Sequence, residues 1–274
     1  MKRFWVLLFM FWPLLTLYVC WVAPANGWWF PGESASPLGQ RIDDLFYLIL
    51  IISAVAFVGT QAALGYVLLT GARRTDEGNT ERAWFSHGSH NLEVIWTIVP
   101  AGVLLFIALY QMDVWAEYRI KDSFPEAVRN DPIAEVTARQ FEWRIRYPGI
   151  DAEGNPLPLM PDPQPTDLYT VNELYVPSGR PVMINLRTDD VQHSFFLPEL
   201  RVKQDAVPGL VIPVWFEATR SGEYALVCAE LCGWGHYKMK ARLVADSESN
   251  WRNWLQVLKA EQEFDGVVET SEEE

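Results

Sequence analysis

The chain has 274 residues, half of them hydrophobic, with a formal net charge of −13 and a pI near 4.8. That charge argues against nucleic acid and leaves two readings, a basic docking partner or a solvated acidic surface. Three cysteines do not make a disulfide framework, and the absence of a Cys-x-x-Cys-His run excludes covalent c-type haem.

The apolar residues gather in three runs within the first 113 positions. Lys2 and Arg3 precede the first, over residues 4–23, and Ala25, Asn26 and Gly27 follow it. A basic start, an apolar run and small residues read as a secretory signal, and nearly 20 residues also suit an uncleaved anchor. Residues 1–25 are therefore assigned to a signal peptide or a signal-anchor, with Cys20 a passive apolar thiol in it. Residues 24–44 read as a polar loop. Residues 45–69 carry no charge and are long enough to span hydrocarbon as a slightly tilted helix. A polar loop with Arg73, Arg74 and Arg82 follows, and a second span covers about 92–112, kinked at Pro100. Residues 26–113 thus predict a transmembrane hairpin. The positive-inside bias puts the arginine loop in the cytoplasm and everything beyond about residue 113 outside. His87 and His90 in that loop are expected to be solvated. Glu93 heads the second span, where a carboxylate favours the helix dipole.

The exterior part alternates as β-structure does. Phe141, Trp143, Ile145 and Tyr147 share one face, and Glu142, Arg144 and Arg146 the other. Residues 181–186, 211–216, 224–227 and 239–244 repeat short strand lengths, separated by turn residues at 177–179 and 221–222. A mainly β domain over 114–250, a sandwich or barrel, is the prediction. Residues 148–167, with six prolines, read as one long surface loop. Residues 251–274 are assigned to a closing amphipathic helix, whose pattern begins at Asn250, and an acidic tail.

The chemistry lies in Cys228-Ala-Glu-Leu-Cys232-Gly-Trp-Gly-His236-Tyr-Lys-Met239. Soft sulfur with imidazole is the donor set that copper prefers. A single blue-copper ion needs one Cys, two His and a weak axial Met, and this stretch holds one Cys more than that. His193 is the remaining histidine in this half of the chain, 35 residues before Cys228. Two coppers bridged by two thiolates is the economical solution. Gly233 and Gly235 are expected to supply unusual dihedrals that fold the loop onto the metal.

With its membrane hairpin and Cys-x-Glu-x-Cys-x3-His-x2-Met motif, the chain resembles subunit II of haem-copper cytochrome c oxidase, in the bacterial form without a fused cytochrome c domain. The resemblance implies a cupredoxin-like Greek-key β-sandwich with a binuclear copper A centre, Cys228 and Cys232 bridging and His193 and His236 terminal. Met239 is then the weak ligand to one copper and the Glu230 backbone carbonyl the weak ligand to the other. It further implies a magnesium ion on the Glu230 side chain, shared with subunit I, and Glu93 at a proton-channel entrance. Residues 200–209 are implied to press on subunit I. The implied partners are subunit I, which alone holds haem, other oxidase subunits, membrane lipid and a separate soluble cytochrome c. Phe141 stands where the family carries its entry tryptophan, so Phe141 and Trp143 are the implied electron-entry candidates, with Glu142, Asp167, Glu173, Asp189 and Asp190 as an acidic docking patch. The implied role is electron entry into a proton-pumping terminal oxidase in the bacterial inner membrane, with the copper domain on the outer side. The alternatives are a copper A subunit of a nitric oxide reductase and a copper-free quinol-oxidase subunit.

Overall fold

The computed structural model describes residues 2–28, 32–76 and 87–266. Arg82 and the acidic tail at 269–274 lie outside the described residues. The chain divides into two units: residues 1–30 with 43–113, and residues 31–42 with 114–274.

The first unit is helical. α1 (Lys2–Ala25), most of α2 (Pro37–Asp76) and α3 (His90–Tyr110) are each long and apolar enough to cross a membrane. α2 begins eight residues before the apolar stretch, where a loop was predicted. Two local causes account for this. The Ser36 hydroxyl accepts from the Gly39 N–H at 3.2 Å, as an N-cap does, and Pro37 supplies a preset φ at the first helical position. The helix is about 60 Å long, twice the hydrocarbon thickness, so its polar opening turns with Arg41, Asp43 and Asp44 have no need of lipid.

Residues 37–42 of those opening turns belong to the second unit. Leu38 packs with Phe124, Val128, Met183 and Trp215, and Arg41 pairs with Glu117 of α4 (Met112–Arg119). Ala35 donates to the Glu199 carbonyl at 2.8 Å and accepts from the Thr219 N–H at 2.9 Å.

Ten strands follow: β1 (Ala134–Arg139), β2 (Glu142–Tyr147), β3 (Leu168–Val171), β4 (Glu173–Pro177), β5 (Pro181–Thr188), β6 (His193–Leu197), β7 (Val202–Ala206), β8 (Ile212–Glu217), β9 (Gly222–Cys228) and β10 (Lys240–Asp246). They form two five-stranded sheets, ordered β3-β2-β1-β5-β8 and β4-β10-β9-β6-β7. β1 runs parallel to β5 and β4 parallel to β10, while the other neighbours are antiparallel. The result is the predicted β-sandwich. Residues 200–209 are not a bare loop, because β7 lies within them and edges the second sheet.

The core is the inner face of both sheets, where Trp143, Ile145, Tyr147, Leu174, Ile184, Phe195 and Phe216 are fully buried. The alternation in β2 therefore holds, with one exception. Arg146, predicted on the solvated face, is only 5% exposed. The proline-rich segment covers it, so its guanidinium meets Asp167 at 2.7 Å and Glu135 at 3.3 Å and donates to the Met160 carbonyl at 3.0 Å. α5 (Glu248–Phe264) closes the domain by burying Trp251, Leu255 and Leu258, and the Trp254 ring stacks on Tyr175 at 4.6 Å.

Candidate metal centre

Sheet order explains how residues far apart in sequence meet. β10, β9 and β6 are adjacent, so the end of β9 (Cys228), the start of β6 (His193) and the residue before β10 (Met239) reach one end of the same sheet. Three backbone contacts fix this: Phe195 pairs with Cys228, the Cys228 N–H donates to the Met239 carbonyl at 3.1 Å, and the Ala229 N–H to the Ser194 carbonyl at 3.0 Å. The loop from 229 to 238 then carries Cys232 and His236 back over that end. A short 3-10 turn, His236–Lys238, orients His236.

The donor atoms converge. The Cys228 and Cys232 Sγ atoms are 3.8 Å apart, and the Cys228 Sγ stands 3.9 Å from His193 Nδ1 and 3.2 Å from the Glu230 carbonyl oxygen. The Cys232 Sγ is 3.5 Å from His236 Nδ1 and 3.8 Å from Met239 Sδ, which is 3.1 Å from His193 Nδ1. One ligand atom each from His193, Cys228 and Cys232 falls within 4.8 Å of the others, and all three residues are buried. The 3.8 Å sulfur separation far exceeds the ~2.05 Å of a disulfide. It lies inside the ~4.6 Å that two thiolates, each ~2.3 Å from one metal, can span. Two thiolates, two imidazoles, a thioether and a carbonyl form a soft, closed donor set that fits copper.

Titration behaviour points the same way. Burial opposes charge on Cys228, but the His193 imidazole and nearby backbone outweigh it and bring the thiol down to about 6. Burial and then the charge of Cys228 push Cys232 up to about 12. Without a cation the pair carries one negative charge readily and resists a second, which a metal between the sulfurs relieves.

The supporting residues are specific. The Asp190 carboxylate lies 2.8 Å from His193 Nε2 and accepts from the Gln140 N–H at 2.8 Å. It thereby ties the turn between β1 and β2 to the imidazole and, with the proton on Nε2, leaves the Nδ1 lone pair facing the sulfurs. The Gln140 side-chain amide donates to the Cys232 carbonyl. Gly233, at φ +137, needs the backbone freedom predicted for it. Gly235 does not, since its φ is −91. It is constrained by space instead, because a Cβ there would come within 2.5 Å of the Phe141 ring.

Other predicted residues are placed differently. Trp143 is fully buried, edge-on to His193 with centroids 6.4 Å apart, which removes it as a surface contact. Phe141 is half-buried under Trp234, their centroids 5.1 Å apart. Each carboxylate of the expected acidic patch has a partner. Asp167 is buried against Arg146, Asp190 serves His193, and Glu142, Asp189 and Glu173 pair with Arg144, Arg187 and Arg242. Glu93 lies in the first turn of α3, in the helical unit. The Glu230 side chain is half-buried and has no hydrogen-bonding or ionic partner among the described residues. Sequence reasoning passed over Gln140 and Trp234 and gave Asp190 the wrong task. For Asp190, its place three residues before His193 was the available signal.

Residues 25–114 match the family model described as cytochrome c oxidase subunit II, transmembrane domain, and residues 139–246 match its periplasmic domain. The alternative cytochrome c oxidase subunit 2 of Bradyrhizobium diazoefficiens is 30% identical over 247 residues, covering 85% of this chain and 84% of that one. Cytochrome c oxidase subunit 2 of Cereibacter sphaeroides is 31% identical over 245 residues, covering 81% and 78%. The crystal structure of the periplasmic domain of subunit II of cytochrome oxidase from Bradyrhizobium japonicum aligns at 24% identity over 48% of this chain and 96% of that one, with a TM-score of 0.40. Two family models that together run from the helices through the sandwich, and relatives of this identity and coverage, establish that the chain belongs to the cytochrome c oxidase subunit II family.

Proposed function

We propose that this subunit of a membrane-bound terminal oxidase is its electron-entry subunit, holding two copper ions and taking single electrons from cytochrome c for haem in subunit I. One observation carries the reading: the convergence of Cys228, Cys232, His193, His236, Met239 and the Glu230 carbonyl into a donor set with no position left for substrate. A thiolate-bridged copper pair supplies one-electron chemistry with little change of geometry. The chain's own contribution is to hold the donors fixed. Cys228 and Cys232 would hold the pair through their thiolates, His193 and His236 through their imidazoles, and Met239 and the Glu230 carbonyl as weaker donors. Asp190 sets the His193 tautomer, and three neighbouring strands hold Cys228, His193 and Met239 in place before a metal arrives. The intact donor set argues against a copper-free quinol-oxidase subunit.

The unpaired Glu230 carboxylate is the magnesium ligand shared with subunit I in this reading, and Glu93 marks the entrance of a proton channel that serves pumping there. The segment with Arg73, Arg74 and Arg82, from the last turns of α2 onward, is cytoplasmic, and the sandwich lies on the outer side of the bacterial inner membrane, with lipid around the helices. Domain limits follow: a signal peptide or signal-anchor to residue 25, the hairpin to 113, the copper domain to 250, then helix and tail.

Stopped-flow mixing of the purified oxidase with reduced cytochrome c tests the reading. The account predicts rapid one-electron oxidation of the cytochrome, lost in Cys232→Ser together with the copper. Equally fast oxidation by a preparation without copper in this subunit would sink it.

A further inference from the structure

The metal loop presents an apolar surface that the donor set does not use. Leu231, Trp234 and Tyr237 are 77%, 80% and 68% exposed, three large side chains within seven residues. Such a concentration is informative where isolated exposed apolar residues are not. The loop under these side chains is braced. Trp234 rests edge-on against Phe141, with centroids 5.1 Å apart, and backbone hydrogen bonds from His236 to Gly233, Lys238 to Gly235 and Met239 to His236 brace the loop beneath them. Trp234 is two residues from both Cys232 and His236, so its ring is joined to two donors by a short covalent path. Trp143 is buried and Phe141 is covered, which leaves Trp234 and Tyr237 as the aromatic rings of the metal loop at the surface.

The charges at the rim identify what binds there. Lys238 Nζ lies 5.7 Å from the Trp234 centroid and 5.6 Å from that of Tyr237, and forms no ion pair among the described residues. Lys240 is exposed next to it and is likewise unpaired among them. Of the carboxylates on these loops, Glu142 pairs with Arg144, Asp189 with Arg187 and Asp190 with His193, while Glu230 is half-buried beside Leu231. Screening limits the reach of distant charge to about 8–10 Å at physiological salt, so these free lysines outweigh the chain's overall acidity at contact range.

We propose that Leu231, Trp234 and Tyr237, rimmed by Lys238 and Lys240, form the docking face for a soluble electron-carrier haem protein whose haem edge is apolar and bordered by carboxylates. This rests on the copper reading above and deepens it. At this face one electron would leave the carrier's ferrous haem, which becomes ferric, and would pass to the copper pair that the six donors would hold, reducing it by one electron. No bond forms or breaks, and no proton moves. Rigid aromatic rings suit the task, because they bury area on contact at little entropic cost.

The test is a titration of the purified oxidase complex with zinc-substituted, redox-inert c-type cytochromes, one acidic and one basic at the haem edge. The acidic cytochrome is expected to bind more tightly, with affinity falling as salt rises. Trp234→Ala should weaken it about 30-fold, as loss of a central anchor does, and Lys238→Glu about tenfold. Copper content and the visible spectrum should match wild type in both variants. An affinity within twofold of wild type in copper-loaded Trp234→Ala overturns the proposal. So does tighter binding of the basic cytochrome, or loss of another subunit from the Trp234→Ala complex, which would make the patch a subunit contact. A wild-type complex without copper here overturns the underlying reading instead, and metal analysis detects that before any titration.

Discussion

Replacing Gly235 with alanine probes the contact between the metal loop and the turn joining β1 to β2. The added Cβ would stand 2.5, 2.6 and 2.8 Å from three carbons of the Phe141 ring. Carbon atoms pack comfortably at about 3.5–4.0 Å, so the overlap is roughly 1 Å against a ring already confined by Trp234. Overpacking of this kind costs about 1–3 kcal/mol. Gly235 adjoins His236, so the strain falls on the turn that presents that imidazole, and copper affinity should drop about 5- to 150-fold. Competition with a chelator of known affinity, on the purified complex, measures the loss. The Phe141→Ala, Gly235→Ala double variant should recover most of it, because the clash needs both groups. An unchanged affinity in the single variant, or a double variant no better than it, would refute the packing argument.

Asp190→Ala removes the carboxylate that fixes the His193 tautomer and should lower copper affinity about 10- to 100-fold, read by the same competition. Arg146→Leu leaves Asp167 and Glu135 as buried carboxylates without their cation, so it should destabilise the sandwich by about 3–5 kcal/mol in denaturant unfolding. A loss below about 1 kcal/mol would show that water already reaches the cluster. Acid should weaken the domain for a related reason. The Ser194 hydroxyl, opposed by burial and helped by Lys203, holds the Asp205 carboxyl below its usual range. Its stabilisation is complete above the ordinary aspartate value and is lost as pH falls through the depressed one. Unfolding temperature should therefore decline from about pH 4 downward, and less so in Asp205→Asn.

What the sequence disclosed follows the range of the forces involved. Charge-free runs, the period-two pattern of β2 and the Cys228–Met239 donor spacing are local signals, and each has its structural counterpart. Strands β1, β3, β4, β6 and β7 were not anticipated, and β6 and β7 show the reason, because neither His193–Leu197 nor Val202–Ala206 alternates cleanly. Pairing with each other, and of β6 with β9, decides them. Arg146 read as solvated because the groups that accept it, Asp167 and the 160–161 carbonyls, arrive from a loop without periodicity. Asp190 and Gly235 were visible as residues but not as contacts. The first acts through His193 across a turn, and the second through a ring 94 positions earlier in the chain. Exposure of Trp234 likewise depends on how the loop lies over the sheet end.

The account stands or falls on the metal. Copper should be counted per chain in the purified oxidase, after correction for copper in other subunits, with the electron paramagnetic resonance spectrum of the oxidised site recorded alongside. The account predicts two coppers bound by this chain and a hyperfine pattern from one unpaired electron shared over both nuclei, each lost in Cys228→Ser. One copper per chain, or a pattern from a single copper nucleus, would contradict it.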